Sequence, residues 1–288
     1  MKPAAGPATM ARQESSDPTK SARPMTTREF VAMKQRGERI AVLTAYDYLM
    51  ARLVEEAGVD CVLVGDSLGQ VFAGEESTLP VTLDQMIYHA RAVRRGLRRA
   101  LLIVDMPFLT YQISAEEAVR NCGRVLQETG AQAVKLEGGH EEAARTIRKL
   151  VDSGIPVMGH LGLTPQSVHK LGGYRLVGKQ EAEREALLAD AQRLVEAGCF
   201  SIVLEMLPRG LAREITRAVP VPTIGIGAGP ECDGQVLVLP DMLGLNEGFS
   251  PGFLKRYADL ATGVRDAVKG YVREVKEGTY PGPEHSYE

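Results

Sequence analysis

The runs VDCVLVGD (59–66), ALLIVD (100–105) and AVKLEG (133–138) decide the fold. Each is a short, almost continuous apolar stretch that reaches an acid near its end: Asp66, Asp105 and Glu137. A strand wet on one side alternates apolar and polar residues, whereas a strand buried on both sides does not. The three runs therefore read as strands of a parallel sheet covered by helices. Five further runs of the same kind flank them: IAVLTAYD (40–47), PVMGHLG (156–162), SIVLEM (201–206), PTIGIGA (222–228) and QVLVLPD (235–241).

The segments between the runs read as amphipathic helices with legible ends. YLMARLVEEAG (48–58) stops at Gly58, and 114–130 opens on Ser114 with two acids behind it and closes on Gly130. A small polar residue with early acids starts a helix, and a glycine that tolerates a left-handed backbone ends one. Segments 140–154 and 181–198 close in the same way on Gly154 and Gly198. Eight strands with helices between them predict a closed (β/α)8 TIM barrel of α/β class, one domain over 25–288. An open doubly wound sheet is the alternative. The chain's 288 residues suffice for one such domain, which typically takes about 250. Two connections are long, 67–99 after the second strand and 163–180 after the fifth. The latter, with paired Gly172 and Gly173, reads as a mobile lid.

Composition narrows the partners. With 34 basic and 37 acidic residues the net charge is −3, which gives no drive toward nucleic acid or anionic membranes. The basic cluster RAVRRGLRR (91–99) reads as a solvated helix end. No apolar run approaches the roughly 18 residues of a membrane span. The four cysteines, Cys61, Cys122, Cys199 and Cys232, are scattered and form no CxxC pair, so a reducing, cytoplasmic setting is expected. Residues 1–24, rich in Ala, Pro, Ser and Thr, read as a disordered N-terminal tail and not as a signal peptide.

The chemistry is expected where the strands stop. Asp47, Asp66, Asp105, Glu137, His160, Glu205 and Asp241 all fall at or near strand ends, the face on which barrel enzymes build their sites. Isolated carboxylates are avoided in such places because desolvating charge is unfavourable. Asp66, Asp105 and Glu137 on successive strands become tolerable if a hard cation sits among them, and oxygen ligands open to water suit Mg2+. The alternative is that each acid only caps the helix that follows, for which Glu137 is poorly suited. Lys135 shares a strand face with Glu137 by two-residue alternation. It is read as a contact for a carboxylate or enolate oxygen. A Schiff-base role is disfavoured, because neighbouring acids keep the amine protonated. Glu205, beside Met206 and Leu207, is placed across the barrel from the metal group and suits a general base. His160 and Ser67 are rim residues with either a structural or a substrate-holding role. GIGAG (225–229) has the look of a phosphate-binding turn, but its glycines are equally explained by tight turning, and no phosphate ligand is assigned.

At these residues the chain closely resembles the 3-methyl-2-oxobutanoate (ketopantoate) hydroxymethyltransferase family. The stretches that carry the resemblance are TAYD (44–47), GDSLG (65–69), STLPVT (77–82), VKLEGG (134–139), GHLGLTPQSV (159–168), IGIGAG (224–229), DGQVLV (233–238) and YPGPEHSY (280–287). They run from about residue 26 to the end, and the tail before them has no counterpart. One position departs: Pro240 precedes Asp241 where the family pattern usually carries His, so no role is assigned there.

The resemblance implies a Mg2+-dependent transfer of a hydroxymethyl group from 5,10-methylenetetrahydrofolate to 3-methyl-2-oxobutanoate. The products would be 2-dehydropantoate and tetrahydrofolate, in pantothenate biosynthesis. It also implies Asp66 and Asp105 as metal carboxylates, Glu137 in the metal's shell, and Glu205 as the proton acceptor. Asp66, Ser67, Asp105, Lys135 and His160 are implied around the oxo acid. A large homo-oligomer, typically a decamer, is the implied assembly. Rim acids on a barrel alone fit a folate-independent lyase or aldolase equally well, since fold does not fix function. A non-catalytic oxo-acid-binding protein is the reading from another class, and it leaves Glu205 without a purpose.

Overall fold

In the computed structural model, which describes residues 23–288, eight parallel strands pair in the order β1-β2-β3-β4-β5-β6-β7-β8 and close on themselves. They are β1 (Ile40–Thr44), β2 (Cys61–Val64), β3 (Leu101–Asp105), β4 (Ala133–Glu137), β5 (Val157–Gly162), β6 (Ser201–Glu205), β7 (Thr223–Ile226) and β8 (Gly234–Leu237). The closed barrel is the expected one, and the open sheet is excluded. The expected tail over 1–24 falls almost entirely outside the described residues. Among the described residues, no helix is long and apolar enough to cross a membrane.

Helices α1 (Thr27–Gln35), α2 (Tyr48–Glu56), α3 (Leu68–Val71), α4 (Leu83–Gly96), α5 (Ala115–Thr129) and α6 (Glu141–Asp152) come from the first half. The second half supplies α7 (Val168–Leu171), α8 (Glu181–Glu196), α9 (Arg209–Ala218), α10 (Leu239–Met242) and α11 (Leu260–Glu277). The end signals work as read. Ser114 accepts from the Glu117 amide at 3.1 Å to cap α5, and Gly130 closes it with a φ of +71°. Thr82 and Gln85 form a reciprocal capping box on α4.

The barrel interior is a packed core. Ile40, Val42, Leu63, Ile103, Met158, Val203 and Ile224 point inward and touch one another. Helix α1 plugs the end of the barrel where the strands begin. Its Phe30 is fully buried and meets Phe200 edge-to-face at 5.9 Å. Lys34 fastens it by an ion pair to Asp233 at 3.0 Å and hydrogen bonds to the Thr216 and Val221 carbonyls. Burying a phenylalanine contributes about 1.5–3 kcal/mol, so this plug stabilises the closed end and leaves the other end for function.

The ring of outer helices is incomplete, which the regular pattern did not foretell. β1 to β6 are each followed by a helix of nine residues or more. β7 passes to β8 through 227–233 with no helix described between them. The outward-facing Ala41 and Gln235, on the adjoining strands β1 and β8, are accordingly exposed. α11 does not cover them. Of its eighteen residues only Ala261 is buried, while Leu260, Val264, Val268, Tyr271, Val272 and Val275 stand exposed.

Candidate active site

Strand register brings the rim residues together. In neighbouring strands Asp105 of β3 lies beside Lys135 of β4, and Glu137 of β4 lies beside His160 of β5. Parallel pairing sets like positions side by side, so residues two apart on one strand meet partners two apart on the next. Lys135 Nζ is 2.5 Å from Asp105 Oδ1, with both side chains buried. Asp105 Oδ2 also accepts from the Asp66 backbone amide at 3.2 Å. None of these acids serves as a helix cap. Ser67 is the residue before α3, Ser114 caps α5 and His140 caps α6.

His160 joins this group to Glu205. Its Nδ1 is 3.4 Å from Lys135 Nζ and 3.6 Å from Glu137 Oε1, and its Nε2 is 3.2 Å from Glu205 Oε2. Glu205 on β6 lies opposite β2 in the ring of eight strands, as its strand number implied, and the His160 imidazole on β5 bridges it to Glu137 on β4. Burial and the Lys135 charge both oppose protonation of His160, but Glu137 and Glu205 outweigh them and raise its pKa to about 9. Burial likewise opposes the Lys135 charge, yet Asp105, Glu137 and Asp66 prevail and push its pKa up. A lysine held charged in this way is an ion-pair and hydrogen-bond donor and a poor amine nucleophile.

Asp66 has the reverse problem. Burial first, and the Asp105 and Glu137 charges next, raise its pKa to about 8. Burial also raises that of Asp105, against the pull of Lys135. Ser67 Oγ sits 2.9 Å from Tyr46 Oη, and both Ser67 and Asp66 line the central cavity. That cavity, about 440 Å3, also exposes Asp105, Lys135, Glu137 and Glu205 to one space. All seven expected site residues therefore converge.

Gln166 was not singled out from the sequence, though it stands inside GHLGLTPQSV. Its Nε2 donates to Asp66 Oδ2 and to the Met106 carbonyl, each at 2.9 Å. Its backbone amide donates to Glu137 Oε2 at 3.0 Å, and its Oε1 accepts from Tyr111 Oη at 2.8 Å. One buried residue, through its side-chain and backbone amides, thereby fixes two of the three carboxylates. This corrects the lid reading of 163–180. Leu163 and Gln166 are buried at the site, while the later part around Tyr174 lies exposed at the edge of the central cavity. The signal was a polar residue directly after Pro165, in a one-turn 3-10 helix whose burial no periodicity reveals.

The structure also places three other rim features. Asp47 is the N-cap of α2, accepting from the Met50 amide at 2.9 Å. Asp241 lies on α10, beyond the end of β8, where its Oδ1 accepts from Asn246 Nδ2 at 2.9 Å. In GIGAG, Gly227 has a φ of +63°, and a Cβ there would meet the Met206 sulfur at 2.8 Å. The glycines serve turning and close packing.

The donor set suits a divalent cation with few protein ligands. Among the described residues, no three His, Cys, Asp or Glu side chains form a ready-made metal cage. Mg2+ does not require one, since it keeps several waters and takes one or two carboxylates. Glu137 Oε1 is buried without a hydrogen-bond partner, and the strained protonation of Asp66 marks a surplus of negative charge that a cation relieves. Asp66 and Asp105, with Glu137 behind them, fit the role.

A family model described as ketopantoate hydroxymethyltransferase matches residues 24–283. The chain belongs to the ketopantoate hydroxymethyltransferase family. The 3-methyl-2-oxobutanoate hydroxymethyltransferase of Syntrophotalea carbinolica is 58% identical over 262 residues, covering 91% of this chain and 98% of that one. That of Syntrophus aciditrophicus is 56% identical, covering 92% and 97%. Among solved structures, a phosphonopyruvate hydrolase complexed with oxalate and Mg2+ superposes with a TM-score of 0.59 at 14% identity, covering 91% of this chain and 93% of that one. A 2,3-dimethylmalate lyase gives 0.59 at 16%, over 91% and 93%. At those identities the likeness speaks for the barrel alone. Membership of this family makes the chain a transferase enzyme.

Proposed function

We propose that this hydroxymethyltransferase converts 3-methyl-2-oxobutanoate, 5,10-methylenetetrahydrofolate and water into 2-dehydropantoate and tetrahydrofolate, with Mg2+ as cofactor. The observation that carries the reading is Glu205. It is a carboxylate at the wall of the central cavity, held by His160 Nε2 at 3.2 Å, next to a buried ammonium and three buried carboxylates. A base is needed at one point of this reaction, the C3–H of the oxo acid, and the remaining charges are needed to hold an anion.

Lys135 and Ser67 orient the oxo acid by its charged end, with Gln166 holding Asp66 and Glu137 in place behind them. Asp66 and Asp105, with Glu137 in the shell, would hold Mg2+, which would supply a Lewis acid for the 2-oxo group. Glu205 takes the C3 proton, and the Lys135 ammonium stabilises the negative charge that develops toward the oxygen. The C3 electron pair then forms the bond to the donor's methylene carbon. The two carbon–nitrogen bonds of that methylene are replaced by this carbon–carbon bond and one carbon–oxygen bond from water. Of the three protons in play, the one on Glu205 and the two of water, two end on the nitrogens and one stays on the product hydroxyl. His160 keeps Glu205 oriented throughout.

The test is product formation by purified protein with and without Mg2+ and the folate donor. Dependence on both is expected. Equal turnover of the oxo acid without folate would favour a lyase or aldolase, and absence of any C3–H exchange would favour a binding protein. The exposed apolar face of α11 and the uncovered β8–β1 seam support a homo-oligomer, a decamer by resemblance to the family. Four buried, unpaired cysteines support a reducing, cytoplasmic compartment.

A further inference from the structure

A second cavity, of about 350 Å3, opens at the rim beyond β1. Its walls come from the turn into α2 (Tyr46, Asp47), from the end of α3 (Gln70, Phe72) and from the chain after β8 (Leu243, Asn246). Gln70, Val71 and Asn246 line both this space and the central cavity, so the two adjoin across one wall. We propose that this second cavity binds the bicyclic aminopyrimidinone ring of the folate donor. The proposal rests on the folate-dependent reading above and adds where the donor sits.

Charge distinguishes the two spaces. The central cavity contains Lys135, whereas no Lys or Arg lines the second one, which carries the Asp47 carboxylate instead. An anionic oxo acid is repelled there, and a ring rich in N–H donors is not. Asp47 Oδ1 accepts from the Met50 amide in capping α2, and Oδ2 has no other hydrogen bond among the described residues. A carboxylate facing the adjacent 2-amino and ring N–H groups of an aminopyrimidinone makes the paired contact that it makes with a guanidinium. Gln70 and Asn246 spend their amide N–H groups on Glu76, Tyr174 and Asp241. Their carbonyl oxygens remain as acceptors for the same ring.

Shape agrees. Phe72 is 62% exposed although it is a large apolar residue. Its ring is braced edge-on by His89 at 4.7 Å, which fixes its orientation. A held aromatic face on a cavity wall is a platform for a flat heterocycle. Both cavities lie within the size range of small-molecule sites, about 300–1,000 Å3. A donor ring in the second one lets its methylene reach across the Gln70–Asn246 wall toward the oxo acid.

The experiment uses the full-length enzyme, titrated with tetrahydrofolate by calorimetry, together with Asp47→Asn and Phe72→Ala. Asn is as good an N-cap as Asp, and Phe72 is exposed, so both variants are expected to fold, which circular dichroism checks. Each is expected to weaken tetrahydrofolate binding at least tenfold and to raise the donor's KM to match. Exchange of the oxo acid's C3 proton, measured without folate, is expected within twofold of wild type. Wild-type affinity in both variants would overturn the proposal while leaving the folate-dependent reading intact. Failure of the wild-type enzyme itself to bind tetrahydrofolate would overturn both.

Discussion

The two halves of the barrel rim are built from different materials. From β2 to β5 the rim is a buried polar lattice, in which Asp66, Asp105, Lys135, Glu137, His160 and Gln166 all touch at least one other member. From β6 round to β1 the cavity wall is apolar, formed by Val203, Met206, Ile226, Val238, Phe253 and Leu254, with Glu205 and Asp241 set into it. The difference separates two tasks. One half fixes charge, so an anionic substrate has one orientation. The other provides space, in which, on the proposed reaction, the carbon to be deprotonated would face Glu205 and a bulky second substrate would approach.

The sharpest way to break this division is at Glu205, the carboxylate that reaches across it. Glu205→Gln keeps a polar side chain of the same shape beside His160 Nε2, 3.2 Å from the present carboxylate, but removes the base. Exchange of the oxo acid's C3 proton in deuterated buffer, followed by NMR, is expected to fall about 10²–10⁴-fold, the usual worth of a positioned base. Oxo-acid affinity should hold within a few fold, because the polar half is untouched. Exchange at the wild-type rate would show that the base lies elsewhere.

Lys135→Met attacks the polar half instead. It leaves Asp105, already raised in pKa by burial, without its 2.5 Å partner. Removing one member of a buried pair typically lowers stability by about 3–5 kcal/mol, and urea unfolding should show a loss of that order together with loss of oxo-acid binding. A loss under about 1 kcal/mol would mean that solvent reaches Asp105 and that the lattice is less closed than its burial implies.

A milder probe is the cation itself. Mg2+ at a hundred times its dissociation constant should stabilise the wild-type fold by about 2.7 kcal/mol, read as a rise in unfolding temperature that a chelator reverses. Asp66→Asn should abolish the rise and Glu205→Gln should keep it. The opposite pattern would move the metal to the apolar half.

The same division explains what the sequence disclosed. The polar half was legible because its members sit at the ends of strands with strong burial signals. Asp105 and Glu137 are the last residues of β3 and β4, and His160 lies near the end of β5; Glu205, in the other half, was legible for the same reason, as the last residue of β6. Gln166 escaped because it lies in a single turn of 3-10 helix, Pro165–Ser167, too short to show a period. The apolar half was largely illegible, since Phe249, Phe253 and Leu254 reach the cavity from an irregular segment after β8. Apolar residues in such a segment carry no mark of the wall they will join. The incomplete helix ring was also hidden, because the short β7–β8 link is invisible to a pattern that counts strands.

The smallest expected effect lies in the apolar half, at Met206. Its φ of +50° is a left-handed conformation that side chains other than glycine rarely adopt. The backbone is pinned there, since its amide donates to the Ile226 carbonyl and its carbonyl accepts from the Val177 amide, each at 2.9 Å. Strain of this kind is worth about 1–3 kcal/mol. Met206→Gly releases it, while losing the side chain's apolar contacts and adding about 0.5–1 kcal/mol of glycine entropy. The terms nearly offset, and unfolding stability is expected within about 1 kcal/mol of wild type, in contrast to Lys135→Met. The gain from strain release comes without any charge to re-pair, which is why an apolar wall tolerates the exchange and a lattice of ions does not. A loss of stability as large as that of Lys135→Met would show that the apolar half is specified as tightly as the polar one.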